Sequence, residues 1–127
     1  MILIFVWILA ILAFAVWVDY VCADEASYYT IESLKREGQW SKTKGVMANG
    51  QKYDENKYTC ASNDYPFGTI LKVTNTQTDK SVDVMVTDRG GFKKYGRNID
   101  LSKAAFSKIA NLKSGVIKVR IEKHETS

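Results

Sequence analysis

Thr87-Asp88-Arg89-Gly90-Gly91-Phe92, followed by Gly96-Arg97-Asn98-Ile99-Asp100-Leu101-Ser102, sets a carboxylate and an arginine on a glycine-rich bend between a strand and a helix. Glycine tolerates positive φ, so such a bend can bring backbone close to a ligand while holding an acid at the rim of a cleft. That arrangement suits sugar chemistry. Burial would raise the Asp88 carboxyl toward a general acid's range, whereas an Arg89 side chain facing it would lower it. The structural alternatives are that Asp88 accepts backbone N–H bonds at the turn, and that Asp100 caps the following helix or pairs with Arg97.

Other chemistries find little support. The only histidine, His124, stands in a polar tail, which leaves Cys60 without an evident Cys/His pair, and Cys60 reads as a buried structural thiol. No cluster of His, Cys or carboxylates has metal-ligand spacing, and no glycine-rich loop matches a phosphate-binding pattern. Neither a cofactor nor a metal is expected.

The elements that must position these groups are mostly strands. Val82, Val84 and Val86 alternate with polar neighbours, as do Ile117, Val119 and Ile121, which predicts half-buried strands. Thr69–Asn75 and Ala26–Ile31 are two further strands, the first joined to Ser81 by the polar loop 76–80. One helix is evident over Lys103–Ala110, with Ser102 or Asp100 as its cap. Residues 32–50 and 54–68 read as long connections, which in a small domain carry function or wrap a barrel end. A closed barrel would leave few edges exposed in a chain with no intrachain disulfide to help it.

Every residue from Ile2 to Val18 is apolar, and Val21-Cys22-Ala23 offers a peptidase site, so residues 1–23 are expected to be a signal peptide or, if uncleaved, an anchor. Lipidation at Cys22 is a third processing. Each places the remaining domain, residues 24–127, in the periplasm, cell envelope or extracellular space. The chain carries 18 Lys and Arg against 14 Asp and Glu, a net +4, and removing residues 1–23 takes away Asp19 and no base. This surplus favours anionic envelope polymers, while the scatter of the lysines argues against nucleic acid.

Ala26-Ser27-Tyr28-Tyr29, Met47-Ala48-Asn49-Gly50-Gln51-Lys52-Tyr53-Asp54, Pro66-Phe67-Gly68-Thr69, the two runs around Asp88 and Asp100, and the closing Gly115-Val116-Ile117-Lys118-Val119 together resemble the rare lipoprotein A (RlpA) domain family. The resemblance implies a mainly β fold, a six-stranded double-psi β-barrel with one short helix, related to expansins, barwin and a class of endoglucanases. It also implies lytic transglycosylation of peptidoglycan, with Asp88 as the catalytic acid and base. The acid common in the family falls on Gln51 and its histidine on Ser62, so a glutamate restored at Gln51 should raise activity. Substrate contacts are expected from Gln51, Ser62, Tyr53, Arg89, Gly90 and Asp100.

Two function classes stand. One is an envelope enzyme that cleaves glycan strands and leaves 1,6-anhydromuramyl ends; the other is a non-catalytic, expansin-like module that binds or loosens wall polysaccharide. The Asp88-Arg89-Gly90 run favours the first, and the amide at Gln51 favours the second. Either way the partner is peptidoglycan or a related polysaccharide, the protein is a monomer, and a membrane is met only through the N-terminal segment. Tyr28, Tyr29, Trp40, Tyr53 and Tyr65 divide between core and cleft, where aromatic rings stack on sugars.

Overall fold

The computed structural model describes residues 24–90 and 96–124. The Ile2–Val18 run, the Val21-Cys22-Ala23 site, Gly91–Tyr95 of the bend and residues 125–127 lie outside the described residues. The elements are β1 (Asp24–Tyr29), α1 (Ile31–Arg36), α2 (Gln39–Thr43), β2 (Thr59–Ala61), β3 (Ile70–Asn75), β4 (Ser81–Asp88), β5 (Ile99–Ser102), α3 (Lys103–Ile109), a 3-10 turn (Leu112–Ser114) and β6 (Ile117–Lys123).

The six strands close into a barrel in the order β1-β5-β2-β4-β3-β6. The β1–β5 and β2–β4 pairs are parallel and the other four antiparallel. Among the described residues, closure leaves none of the six barrel strands with an open edge. Alternation sets the interior: Val82, Val84 and Val86 of β4 point in, while Ser81, Asp83 and Met85 point out. Leu71, Val73, Ile99, Leu101 and Val119 join them, and α3 closes the core with Ala105, Phe106 and Ile109. Cys60 lies fully buried in this core, and burial pushes its thiol up to about 12.

The helix at 103–109 is capped by Ser102, whose Oγ accepts from the Ala105 N–H at 3.3 Å. Asp100 does not cap it, because its side chain is engaged within the barrel wall by Ser27. The connection read as irregular over residues 32–50 carries α1 and α2 as well. Neither has a buried residue, so neither shows an apolar stripe in sequence. Their ends are set locally: Thr30 forms a capping box with Ser33 at the start of α1, and Gly38 adopts φ +78 between the two helices. After α2, Gly45 sits against Trp40, where a Cβ would come within 2.7 Å of the ring. The connection 54–68 likewise contains β2, three residues long.

Candidate functional site

Four strands align one residue each into a row. Ser27 of β1 partners Asp100 of β5, Asp100 partners Ala61 of β2, and Ala61 partners Asp88 of β4. Strand alternation puts Ala26, Ile99, Leu101 and Cys60 in the interior, so Ser27, Asp100 and Ala61 face outward. The β2–β4 register shifts between Cys60 and Ala61: Cys60 pairs with Val86 and Ala61 with Asp88. This bulge skips Thr87 and brings Asp88 level with the outward row.

Over this face fold α1, α2 and the loop 45–53, the latter closed by a Val46–Lys52 bridge. A second apolar cluster of Tyr29, Met47, Tyr53 and Ala61, backed by Ile31 and Leu34, holds α1 and the loop there. Between this cover and the barrel runs a groove of about 570 Å³, lined among others by Glu37, Ala61, Asp88, Arg97 and Asp100.

Asp88 is held by three donors. The N–H groups of Ala48 and Arg89 both donate to Oδ1 at 2.9 Å, and the Tyr29 hydroxyl donates to Oδ2 at 3.3 Å. A carboxylate offers about four acceptor positions, so one remains for a ligand. The turn-acceptor reading of Asp88 is thus realised, and the same residue opens into the groove. Arg89 donates from Nη1 to the Ser62 carbonyl at 2.7 Å and lies 4.0 Å from the Phe67 ring centroid. Asn63 clamps the next residue, donating to the Gly90 carbonyl at 2.7 Å and accepting from the Gly90 N–H at 3.2 Å.

Asp100 has a different environment. Burial raises its carboxyl from 3.8 to about 6; the Ser27 hydrogen bond at 2.8 Å and the Arg97 charge work against this, and the Glu37 and Asp88 charges add to it. Among the groove's carboxyl groups, Asp88 is fixed by three donors with one acceptor position left, and Asp100 is raised to about 6.

The tyrosines sort by alternation. Tyr28 turns to the core, its ring 4.6 Å from Phe106 and its hydroxyl bonded to the Leu112 carbonyl at 2.9 Å. Tyr29 turns to the groove, stacked on Tyr53 at 4.4 Å, and the Tyr53 hydroxyl donates to the Tyr29 carbonyl at 2.6 Å. Burial raises the pKa of both phenols, so they serve as neutral donors.

Of the residues singled out in the sequence, Asp88, Arg89, Gly90, Tyr53 and Asp100 line the groove together. Gln51 and Ser62 are not among its lining residues. Gln51 is exposed and its Oε1 accepts from Asn49 Nδ2 at 3.1 Å, because the tight loop 45–53 turns residues 49–51 back on themselves. Ser62 is 2% exposed: its N–H donates to the Asp88 carbonyl at 3.1 Å and its Oγ accepts from the Asp64 N–H, so it braces the strand end from behind. Sequence reasoning missed Ser27, Glu37, Ala48 and Ala61. The β1 alternation could have placed Ser27 beside Tyr29; nothing local marks the other three.

Residues 24–121 match the family model described as lytic transglycolase. The chain is 47% identical over 75 residues to the endolytic peptidoglycan transglycosylase RlpA of Campylobacter jejuni, covering 59% of this chain and 27% of that protein. It is 41% identical over 98 residues to the protein of the same name from Rickettsia prowazekii, covering 77% of this chain and 29% of that protein. It thus spans less than a third of the length of these curated relatives. Among solved structures, a variant of Clavibacter michiganensis expansin in complex with cellohexaose superposes with a TM-score of 0.54 at 18% identity, over 82% of this chain and 50% of that one.

Proposed function

The chain belongs to the lytic transglycolase family as an RlpA-like double-psi β-barrel domain, and on that premise we propose that it is an exported peptidoglycan lytic transglycosylase acting in the groove between Asp88 and Asp100. The observation that carries this reading is the pairing of two unlike carboxyl groups in one groove, one fixed by three donors and one raised by burial to about 6. An acid works best with a pKa near the operating pH, and divided environments assign divided roles.

In this mechanism Asp100 donates its proton to the glycosidic oxygen as the bond to C1 of the muramyl residue breaks. Asp88, fixed by Ala48, Arg89 and Tyr29, faces the oxocarbenium-like centre and stabilises it. The muramyl 6-hydroxyl then attacks C1 and closes the 1,6-anhydro ring. Its proton passes to the free lone pair of Asp88 and returns through solvent to Asp100, so the cycle consumes no water. Sequence reasoning assigned both proton steps to Asp88; two groove carboxyls support dividing them.

The test is incubation of purified protein with glycan strands stripped of stem peptides, followed by mass spectrometry. Products with 1,6-anhydromuramyl ends, lost in both Asp88→Asn and Asp100→Asn, are expected. A second reading, non-catalytic binding of wall polysaccharide, is favoured by Gln51 standing outside the groove lining in place of the family's acid. Strands that bind and are recovered intact would establish it instead.

A further inference from the structure

We infer that Arg97 is the specificity-determining cation of the groove, its guanidinium binding the lactyl carboxylate of the muramyl residue whose C1 faces Asp100. The inference rests on the groove being a glycan site. Among the described residues that line it, two carry positive charge, Arg89 and Arg97. Arg89 is committed to the wall: Nη1 donates to the carbonyls of Ser62 at 2.7 Å and Asp88 at 3.4 Å, and the guanidinium carbon lies 4.0 Å from the Phe67 ring centroid. Arg97 stands beside the acid instead. It is half-buried and enters β5 just ahead of Asp100, next to Asn98, which is tied to β1 by two bonds. The Asn98 N–H donates to the Glu25 carbonyl at 2.9 Å, and Asn98 Oδ1 accepts from the Glu25 N–H at 3.1 Å. The backbone that carries Arg97 is therefore fixed to the barrel.

Charge decides what such a residue recognises. Glu37, Asp88 and Asp100 make the lining acidic, so an anionic group on a ligand is repelled except beside an arginine. Asp100 acts in its protonated form, and in that state it draws least on the Arg97 charge. A guanidinium presents five donors in a planar fork, enough to keep a protein neighbour and still hold a carboxylate through two parallel bonds. A muramyl ring carries that carboxylate on the lactyl ether at C3, on the same ring whose C1 bond breaks. Chitin and cellulose carry none. The groove is thereby matched to carboxylate-bearing strands rather than to neutral glycans.

The experiment prepares stem-free glycan strands in two forms, native and with the lactyl carboxyl groups converted to amides. Retention on both is measured at pH 7 for wild type, Arg97→Gln and Arg97→Lys in the full chain, each checked by circular dichroism and thermal unfolding. Amidation should weaken wild-type binding about tenfold, the loss of one charge-assisted fork. Arg97→Gln should lose a similar factor on native strands and bind amidated strands about as wild type does, because the two changes remove the same contact. Arg97→Lys keeps the charge without the fork and should fall between. A folded Arg97→Gln variant that binds both forms more weakly yet keeps the wild-type preference has lost only structure, and that result overturns the inference. Wild type indifferent to amidation also overturns it, while leaving the glycan reading in place. Should Arg97→Gln prevent folding, wild type and Arg97→Lys carry the comparison. If wild type binds strands without cleaving them, the lytic reading fails while the preference still decides the role of Arg97. A wild-type chain that binds neither form overturns both.

Discussion

Ser27 Oγ donates to Asp100 Oδ1 at 2.8 Å, and the two residues are register partners across the parallel β1–β5 pair, 73 positions apart in sequence. The bond holds the Asp100 carboxyl within the barrel wall rather than on a loop, so its orientation is as rigid as the strand pairing. It also favours the ionised form and opposes the desolvation that raises Asp100 to about 6.

Ser27→Ala removes that opposition. The Asp100 pKa should rise further, and the alkaline limb of kcat/KM should move to higher pH, by up to about one unit. A limb that stays in place or moves down would exclude Asp100 as the titrating acid.

The raised Asp100 pKa also makes stability depend on pH. A carboxyl that binds its proton more tightly in the folded state favours folding at low pH, and this contribution is lost as pH rises from 3.8 through about 6. A shift of about two units corresponds to a penalty on the order of 3 kcal/mol above that window. Asp100→Asn should flatten the slope and stabilise the domain at pH 8 relative to wild type, as read from urea unfolding at pH 4 and pH 8. Parallel pH dependences in the two proteins would falsify the assignment.

Asp88→Asn keeps an oxygen for the Ala48 and Arg89 N–H groups and turns an amide N–H toward the Tyr29 hydroxyl, which can accept from it. Loss of the charge weakens the two backbone N–H bonds, at a cost of about 1–2 kcal/mol of stability, and anhydro-product release should fall at least about a hundredfold with glycan binding retained. Calorimetry and product analysis on the same sample separate the two effects. Full activity in a folded variant would remove Asp88 from the mechanism.

Gln51→Glu distinguishes family analogy from geometry. The resemblance implies a gain in activity from restoring an acid, whereas Gln51 here is exposed and bonded to Asn49. Turnover is expected to stay within about twofold of wild type, since surface substitutions usually change energies by about 0.5 kcal/mol or less. A tenfold gain would show that residue 51 reaches the substrate.

The strands β3, β4 and β6 were legible in the sequence because each is six to eight residues long and, in β4 and β6, apolar residues alternate with polar ones. The α3 helix and its Ser102 cap were legible for a similar reason: cap and apolar face are local to one segment. By contrast, β2 and β5 have three and four residues, too few to display a period. The helices α1 and α2 bury no residue, so hydrophobic patterning could not reveal them.

The sequence by itself determined a β-rich domain, the order of its motifs and the presence of an acid at Asp88, because propensity, alternation and turn chemistry act between near neighbours in the chain. Only the tertiary structure decided that Asp100 joins Asp88 in the groove, that Ser27 and Ala61 stand beside it, and that Gln51 and Ser62 do not line it. Those outcomes depend on barrel closure and on the one-residue bulge between β2 and β4. Register across strands sets which side chains meet, a slip of one residue reverses the face each presents, and desolvation, which distinguishes Asp100, exists only once the surrounding strands and helices are in place.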